Sequence, residues 1–114
     1  RGVEKDYIQA LEWYEKAAEQ GHKKSQNQMG LMHYYGHGLE KDLTQALKWF
    51  KKSAEQGYVE AQYNMGLMYH YGRGVEKDYV LAPEWYEKAA EQGHKKALHQ
   101  LTLIRASGGG IEED

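Results

Sequence analysis

The stretch GVEKDYIQALEWYEKAAEQGHKK at residues 2–24 returns at residues 74–96 as GVEKDYVLAPEWYEKAAEQGHKK, with 20 of 23 positions unchanged. A third version, GLEKDLTQALKWFKKSAEQGYVE, lies between them, so that the spacing is 36 residues each time. A period of about 20–50 residues is typical of a stacked repeat array. The period divides the chain into units at 2–37, 38–73 and 74–109, with a tail at 110–114 that is either an end or the start of a further unit.

Each unit has the pattern of two helices joined by a short turn. Apolar residues from Tyr7 to Ala18 follow the spacing of one buried helical face, and Gly21 stands where a left-handed residue ends a helix. An aspartate precedes each first helix as a predicted N-cap, and a glycine is predicted to end each second helix. These positions are Asp6, Asp42 and Asp78 for the caps and Gly36, Gly72 and Gly108 for the ends. The sequence therefore predicts an all-α fold, an α-solenoid of three antiparallel helix pairs with about six helices.

Gly30, Gly66 and Pro83 depart from what a regular helix prefers, and Thr102 departs from the repeat. Gly30 and Gly66 lie inside second helices, where glycine costs about 1 kcal/mol relative to alanine, so we expect another backbone to pass close to them. Thr102 takes the equivalent place in the third unit, whose polar ending predicts a C-terminal cap. Pro83 predicts that the first helix of the third unit starts late, with the proline in its first turn.

Composition excludes several classes of partner. The chain has 15 Lys and Arg against 17 Asp and Glu, a formal charge of -2, so it lacks the basic field that nucleic acid favours. No apolar run approaches the roughly 18 residues of a membrane span, and membrane insertion is not expected. The absence of cysteine excludes disulfides and thiolate metal sites but fits either redox compartment, which leaves localisation open.

The phrases ALEWYEKAAEQG at 10–21, AQYNMGLMY at 61–69 and YGRGVEKD at 71–78 closely resemble the Sel-one-like repeat family, a relative of the tetratricopeptide repeats. The resemblance covers essentially the whole chain. It implies a right-handed superhelix whose first helices line a concave surface, and an adaptor that assembles protein complexes. The absence of cysteine pairs departs from the secreted, disulfide-stapled branch of that family.

The solvent side of the first helices is the candidate protein-binding face. At about 100° per residue, the exposed positions are polar and carry both signs of charge. The candidate residues are Gln9, Glu12, Lys16, Gln45, Lys48, Lys52, Glu84 and Lys88. Charge alternates between aligned positions such as Glu12, Lys48 and Glu84, and this suggests ladders of opposite charge that fix the stacking register.

Other patterns favour structure over chemistry. His33 and His37 have an i, i+4 spacing that could suit a metal, but a helix end separates them and no third ligand is evident. Paired glycines such as Gly36 and Gly38 lack the flanking residues of a phosphate-binding loop. The recurring tryptophans are predicted to pack in the core. No metal site or cofactor is therefore predicted.

The function predicted from sequence is a non-catalytic adaptor that binds a protein or peptide segment of unknown identity. A structural spacer or an array that self-associates weakly end to end is the alternative, with a monomer otherwise expected. A penicillin-binding or hydrolysing enzyme, an activity described for some relatives, is disfavoured because none of Ser25, Ser53 and Ser107 begins a Ser-x-x-Lys motif.

Overall fold

The computed structural model describes the backbone of residues 2–107 and the side chains of residues 6–107. Within that range the chain forms helices and no strand, and each helix packs against the next along the chain. The helices are α1 (Gly2–Glu19), α2 (Lys23–Tyr35), α3 (Leu43–Glu55), α4 (Val59–Tyr71), α5 (Leu81–Glu91) and α6 (Lys95–Ala106). The predicted all-α solenoid of three helix pairs is confirmed.

One of the three predicted aspartate caps is confirmed. Asp42 Oδ1 accepts the backbone N–H of Gln45 at 3.1 Å and begins α3. Asp78 Oδ1 accepts the N–H groups of Val80 and Leu81 at 3.0 and 2.9 Å, but α5 begins at Leu81 with Val80 as its N-cap, so the cap predicted at Asp78 is not confirmed. Because α5 begins at Leu81, Pro83 falls in its first turn, as expected.

The cap predicted at Asp6 is wrong, since α1 begins at Gly2 and Asp6 lies inside it. The backbone N–H of Asp42 donates to the His33 carbonyl at 2.8 Å, and that of Asp78 donates to the Tyr69 carbonyl at 3.0 Å. These bonds tie Asp42 and Asp78 to the preceding second helix and keep each of them ahead of the first helix that follows it. The described residues contain no such helix ahead of Asp6, and α1 continues through it.

The contacts at the ends of the second helices recur from unit to unit. Gly36 and Gly72 end α2 and α4 with φ of 75° and 68°, in the left-handed region that favours glycine, as predicted. Gly108 and the tail at 110–114 lie outside the described residues. At the other end, His22 Nδ1 caps α2 by accepting the Ser25 N–H at 3.3 Å, and His94 Nδ1 caps α6 by accepting the Ala97 N–H at 3.1 Å.

The glycines inside the second helices make room for an aromatic ring, and the expected close backbone is wrong. A Cβ on Gly30 would lie 2.4 Å from Cδ1 of Phe50, and one on Gly66 would lie 2.4 Å from Cδ1 of Tyr86. Both rings are at most 2% exposed. We call the packing of α3 on α2 the first junction and that of α5 on α4 the second junction. In each, a ring from a first helix seats on a glycine of the preceding second helix.

Glutamine side chains form a second link across each junction. At the first junction, Gln56 Nε2 donates to the Gly21 carbonyl and to Gln26 Oε1, both at 2.8 Å. Gln92 makes the same two bonds at the second junction, at 2.9 Å, to the Gly57 carbonyl and to Gln62 Oε1. These glutamines recur every 36 residues, and they join units through backbone groups that the turns would otherwise leave exposed.

The outer face of the third unit lacks both links. Thr102 replaces the glycine and is exposed, with its hydroxyl donating to the Leu98 carbonyl at 2.9 Å. Leu98 replaces the acceptor glutamine and is 55% exposed. A further unit that docked in the same way would meet the Thr102 side chain and find no glutamine. Leu103 on the same helix is 50% exposed, so the described part of this face is partly apolar, and the polar cap expected for the third unit is not confirmed.

Candidate protein-binding surface

The eight candidate residues lie on the three first helices, in the same relative places on each. Seven of them are exposed, whereas Gln45 is half-buried. We call these eight positions the first-helix face: Gln9, Glu12, Lys16, Gln45, Lys48, Lys52, Glu84 and Lys88.

Tryptophan side chains flank this face, a feature that the sequence analysis assigned to the core. The Lys52 Nζ lies 5.4 Å from the ring centroid of Trp49, and Lys88 Nζ lies 5.9 Å from that of Trp85. Contacts of this kind contribute about 0.5–1 kcal/mol at exposed sites. They hold the two lysines over an aromatic surface.

Core packing is confirmed for Trp85 and wrong for Trp13. Trp85 packs against the apolar cluster of the preceding unit, around Ala46 and Met65, and it is half-buried. Trp13 is 76% exposed because the described residues hold no preceding unit for it to cover. With Glu12 and Lys16 it lines a shallow depression of about 160 Å³. This end of the first-helix face therefore exposes an indole as well as charges.

The proposed charge ladders do not form as contacts. Among residues 6–107, Arg105 and Glu87 form an ion pair at 3.5 Å, and His94 Nε2 lies 3.3 Å from Glu60 Oε1. Neither joins two members of one aligned column. Exposed pairs add only about 0–1 kcal/mol, so the stacking gains little from them. The register is instead defined by the ring-on-glycine and glutamine contacts of the junctions.

The repeat that the geometry displays matches a known sequence family. The model of the Sel1 repeat family matches residues 1–22, 23–58 and 59–94, which together make up most of the chain. The chain belongs to the Sel1 repeat family. The matched units begin at the second helix of a pair, and each of the last two therefore spans a junction. Sel1 repeats generally act as protein-interaction modules.

Solved structures of other Sel1 repeat proteins agree with this fold. A protective antigen present in uropathogenic Escherichia coli strains, which displays an SLR fold, is 44% identical, with a TM-score of 0.90 over 93% of this chain. A Sel1 repeat protein from Oxalobacter formigenes is 39% identical, with a TM-score of 0.86 over 94% of the chain. The chain spans 23% and 44% of the lengths of these two structures. The comparison with curated proteins gives no match.

His33 and His37 of this Sel1 repeat chain take part in packing. The His37 ring stacks on Tyr7 with 4.5 Å between centroids, while His33 Nδ1 is buried without a hydrogen-bond partner among the described residues. Burial lowers the pKa of His33, although Asp42 and Glu15 oppose the shift. In the described part of the chain, no group of three or more His, Cys, Asp or Glu side chains is placed to hold a metal ion.

None of the described helices combines the length and the apolar character that crossing a bilayer demands.

Proposed function

We propose that this chain is a non-catalytic interaction module that binds an extended segment of a partner protein along the first-helix face. The observation that carries the proposal is the repetition of an exposed charged pair beside an indole on three successive helices. The pairs are Glu12 with Lys16, Lys48 with Lys52, and Glu84 with Lys88.

The chemistry of the face suits a polar segment with its own charge pattern. The middle helix presents Lys48 and Lys52, whereas its neighbours each present one acidic and one basic residue. Complementary charges guide register and association rate more than affinity, and indoles such as Trp13 supply apolar contact area. A segment with acidic residues at its centre fits this arrangement best.

Charge reversal on the middle helix tests the proposal. We expect Lys48→Glu with Lys52→Glu to reduce capture of partner proteins from the source cell, measured by quantitative mass spectrometry. Trp13→Ala should weaken the same interactions. Each captured protein is then purified and titrated against the wild-type chain and both variants, so that loss of binding is measured directly.

A matched control reverses two exposed lysines on another surface. Lys95→Glu with Lys96→Glu changes the net charge equally, on α6, outside the first-helix face. If this control loses binding as fully as the α3 variant, then general charge and not the face explains capture. Equal binding by all variants would also contradict the proposed face.

The two alternatives gain no support from specific contacts. Stacking of one chain on another through unit-like contacts is hindered, because the outer face of the third unit carries Thr102 and Leu98 in place of glycine and glutamine. For penicillin chemistry no Ser-x-x-Lys motif is present. Sel1 repeat proteins are generally non-catalytic, and a nitrocefin assay that showed turnover would overturn our assignment.

A further inference from the structure

A small cavity of about 90 Å³ lies between α2 and α4 at the first junction, on a different surface from the first-helix face. Its apolar walls come from Leu31, Leu67, Met68 and the ring of Phe50, and the polar side chain of Asn64 also lines it. Phe50 and Met68 are 2% and 1% exposed, and their positions are held by the core. Apolar cavities of about 150 Å³ are known to bind a benzene molecule, so this one has the size for a small aliphatic side chain.

Arg73 lines the same cavity and supplies its charge. Its Nη1 donates to the Tyr34 hydroxyl at 2.6 Å, and its guanidinium lies 4.8 Å from the ring centroid of Tyr71. No carboxylate among residues 6–107 forms an ion pair with it. A guanidinium has five N–H donors in a planar fork that matches a carboxylate, and here one donor bond is made by Tyr34.

The aromatic residues around the cavity do not leave a site for a cation. Tyrosine faces attract cations, but the Arg73 guanidinium already occupies the faces of Tyr34 and Tyr71. A second positive charge would meet Arg73 at close range. The charge that complements this cavity is therefore negative.

The second junction shows which features make the first cavity distinctive. Its cavity uses aligned residues, including His70 and Leu103 in place of Tyr34 and Leu67, and has about 280 Å³. Tyr86 is aligned with Phe50, and its hydroxyl lies 3.0 Å from His70 Nδ1. The position aligned with Arg73 is a glycine. The combination of apolar cavity and arginine thus belongs to the first junction.

We propose that the first-junction cavity binds the carboxyl terminus of a partner peptide whose last residue is aliphatic. The aliphatic side chain enters the space between Leu31, Leu67 and Phe50, and the terminal carboxylate pairs with the Arg73 guanidinium. A chain terminus satisfies both demands within one residue, since its carboxylate and side chain share one Cα. An internal aspartate or glutamate carries its charge on a different residue from the apolar group. This inference does not depend on the first-helix face.

Three peptides separate the contribution of the terminal carboxylate from that of the aliphatic side chain. The isotope-labelled chain is titrated with acetyl-Gly-Gly-Leu, with its C-terminal amide, and with acetyl-Gly-Gly-Gly, and backbone amide shifts are followed by NMR. We expect acetyl-Gly-Gly-Leu to shift the amides of α2 and α4 around Leu31 and Leu67. Amidation or loss of the leucine side chain should each weaken binding by about tenfold, the effect of losing one charged hydrogen-bonded pair or one buried side chain.

Variants with matched controls locate the site. Arg73→Gln should weaken acetyl-Gly-Gly-Leu to the level of its amide, whereas Arg105→Gln on α6 should leave its affinity unchanged. Phe50→Tyr should reduce binding. In the aligned residue Tyr86 the hydroxyl lies beside His70, which is aligned with Tyr34, so we expect a hydroxyl on residue 50 to enter the cavity next to Tyr34. Tyr86→Phe changes the same atom at the second junction and should bind like the wild-type chain. Circular dichroism melting confirms that each variant is folded.

Two results would overturn the proposal. One is equal affinity for the free-acid and amidated peptides in the wild-type chain, because the carboxylate would then contribute nothing. The other is a shift pattern confined to the first helices, which would assign the peptide to the first-helix face. If Arg73→Gln is unfolded, then Arg73→Lys replaces it, and we expect intermediate affinity because charge remains while the planar fork is lost.

Discussion

The two junctions are built on the same backbone frame and differ at the ring that seats on the glycine. Phe50 occupies the first junction and Tyr86 the second, each against the corresponding glycine of a second helix. Phe50 lines the cavity of the first junction together with Tyr34 and Arg73. The hydroxyl of Tyr86 lies within hydrogen-bonding distance of His70, and that ring does not line the neighbouring cavity.

This difference shows how a repeat can retain its fold while its surfaces diverge. The ring-on-glycine contact and the glutamine links are the same at both junctions and define the stacking. Arg73, in the connector after α4, then gives the first junction a charged pocket that the second junction lacks. Residues that hold the stack together and residues that line the pocket thus lie close together in the same unit.

The largest expected effect breaks the contact that both junctions share. Gly30→Ala and Gly66→Ala should each lower the free energy of unfolding by about 2 kcal/mol, since overpacking against a buried ring exceeds the roughly 1 kcal/mol that alanine gains in a helix. Chemical denaturation measures the change.

The third unit supplies the control for these glycine variants. Thr102→Gly restores the glycine at an exposed position where no ring packs against it. It should therefore lower the free energy of unfolding by about 0.5 kcal/mol or less. A gain in stability from Gly66→Ala beside a loss from Thr102→Gly would mean that helix propensity, and not the ring, governs these positions.

A smaller effect tests the atom that distinguishes the junctions. Tyr86→Phe removes the hydroxyl that contacts His70 and should lower the free energy of unfolding by about 1 kcal/mol, a typical value for one hydrogen bond. Denaturation of Tyr86→Phe beside the wild-type chain measures it. An unchanged unfolding midpoint would show that the hydroxyl stabilises nothing at the second junction.

The smallest expected effect is a loss of stability in acid that originates at the second junction. Burial lowers the pKa of His70 below its usual 6.5, and Lys77 and Arg73 lower it further. The unfolded chain therefore binds a proton more readily, and stability falls as the pH drops below about 6.5. His70→Asn should reduce the difference between melting temperatures at pH 7.5 and pH 5.5.

The equivalent experiment on the first unit is the comparison for this pH effect. The pKa of His33 is lowered by burial but raised by Asp42 and Glu15, so His33→Asn should change the acid sensitivity less. A larger change from His33→Asn than from His70→Asn would contradict this assignment of charges.

Sequence reasoning located the helices more successfully than the contacts between them. The period and the glycines at 36 and 72 predicted six helices, because helix ends depend on local backbone chemistry. The role of Gly30 was predicted incorrectly, since a missing side chain indicates a close approach without identifying what approaches. The exposure of Trp13 was missed because its packing depends on a neighbouring unit that the period alone does not supply.

For the candidate site too, helix faces could be predicted from the sequence and contacts between units could not. Helical periodicity predicted the solvent side of the first helices, and the exposed positions of Glu12 and Lys48 agree with it. The grouping of Arg73 with Tyr34 and Phe50 could not be predicted, because Tyr34 comes from the first unit and Phe50 and Arg73 come from the second, and they meet only after stacking. The one signal available in the sequence was Arg73 itself, which is aligned with His37 in the first unit and with a glycine in the third.

By itself the sequence determined the period, the helix pairs and the membership in the Sel1 repeat family, because these depend on residues close together in the chain. Tertiary structure alone decided which ring fills which glycine, which glutamines link the units, and that Arg73 borders an apolar cavity. Those features depend on side chains 16 to 39 residues apart along the chain, as in the pairs His70–Tyr86 and Tyr34–Arg73. Only the stacking of one unit on the next brings such side chains into contact.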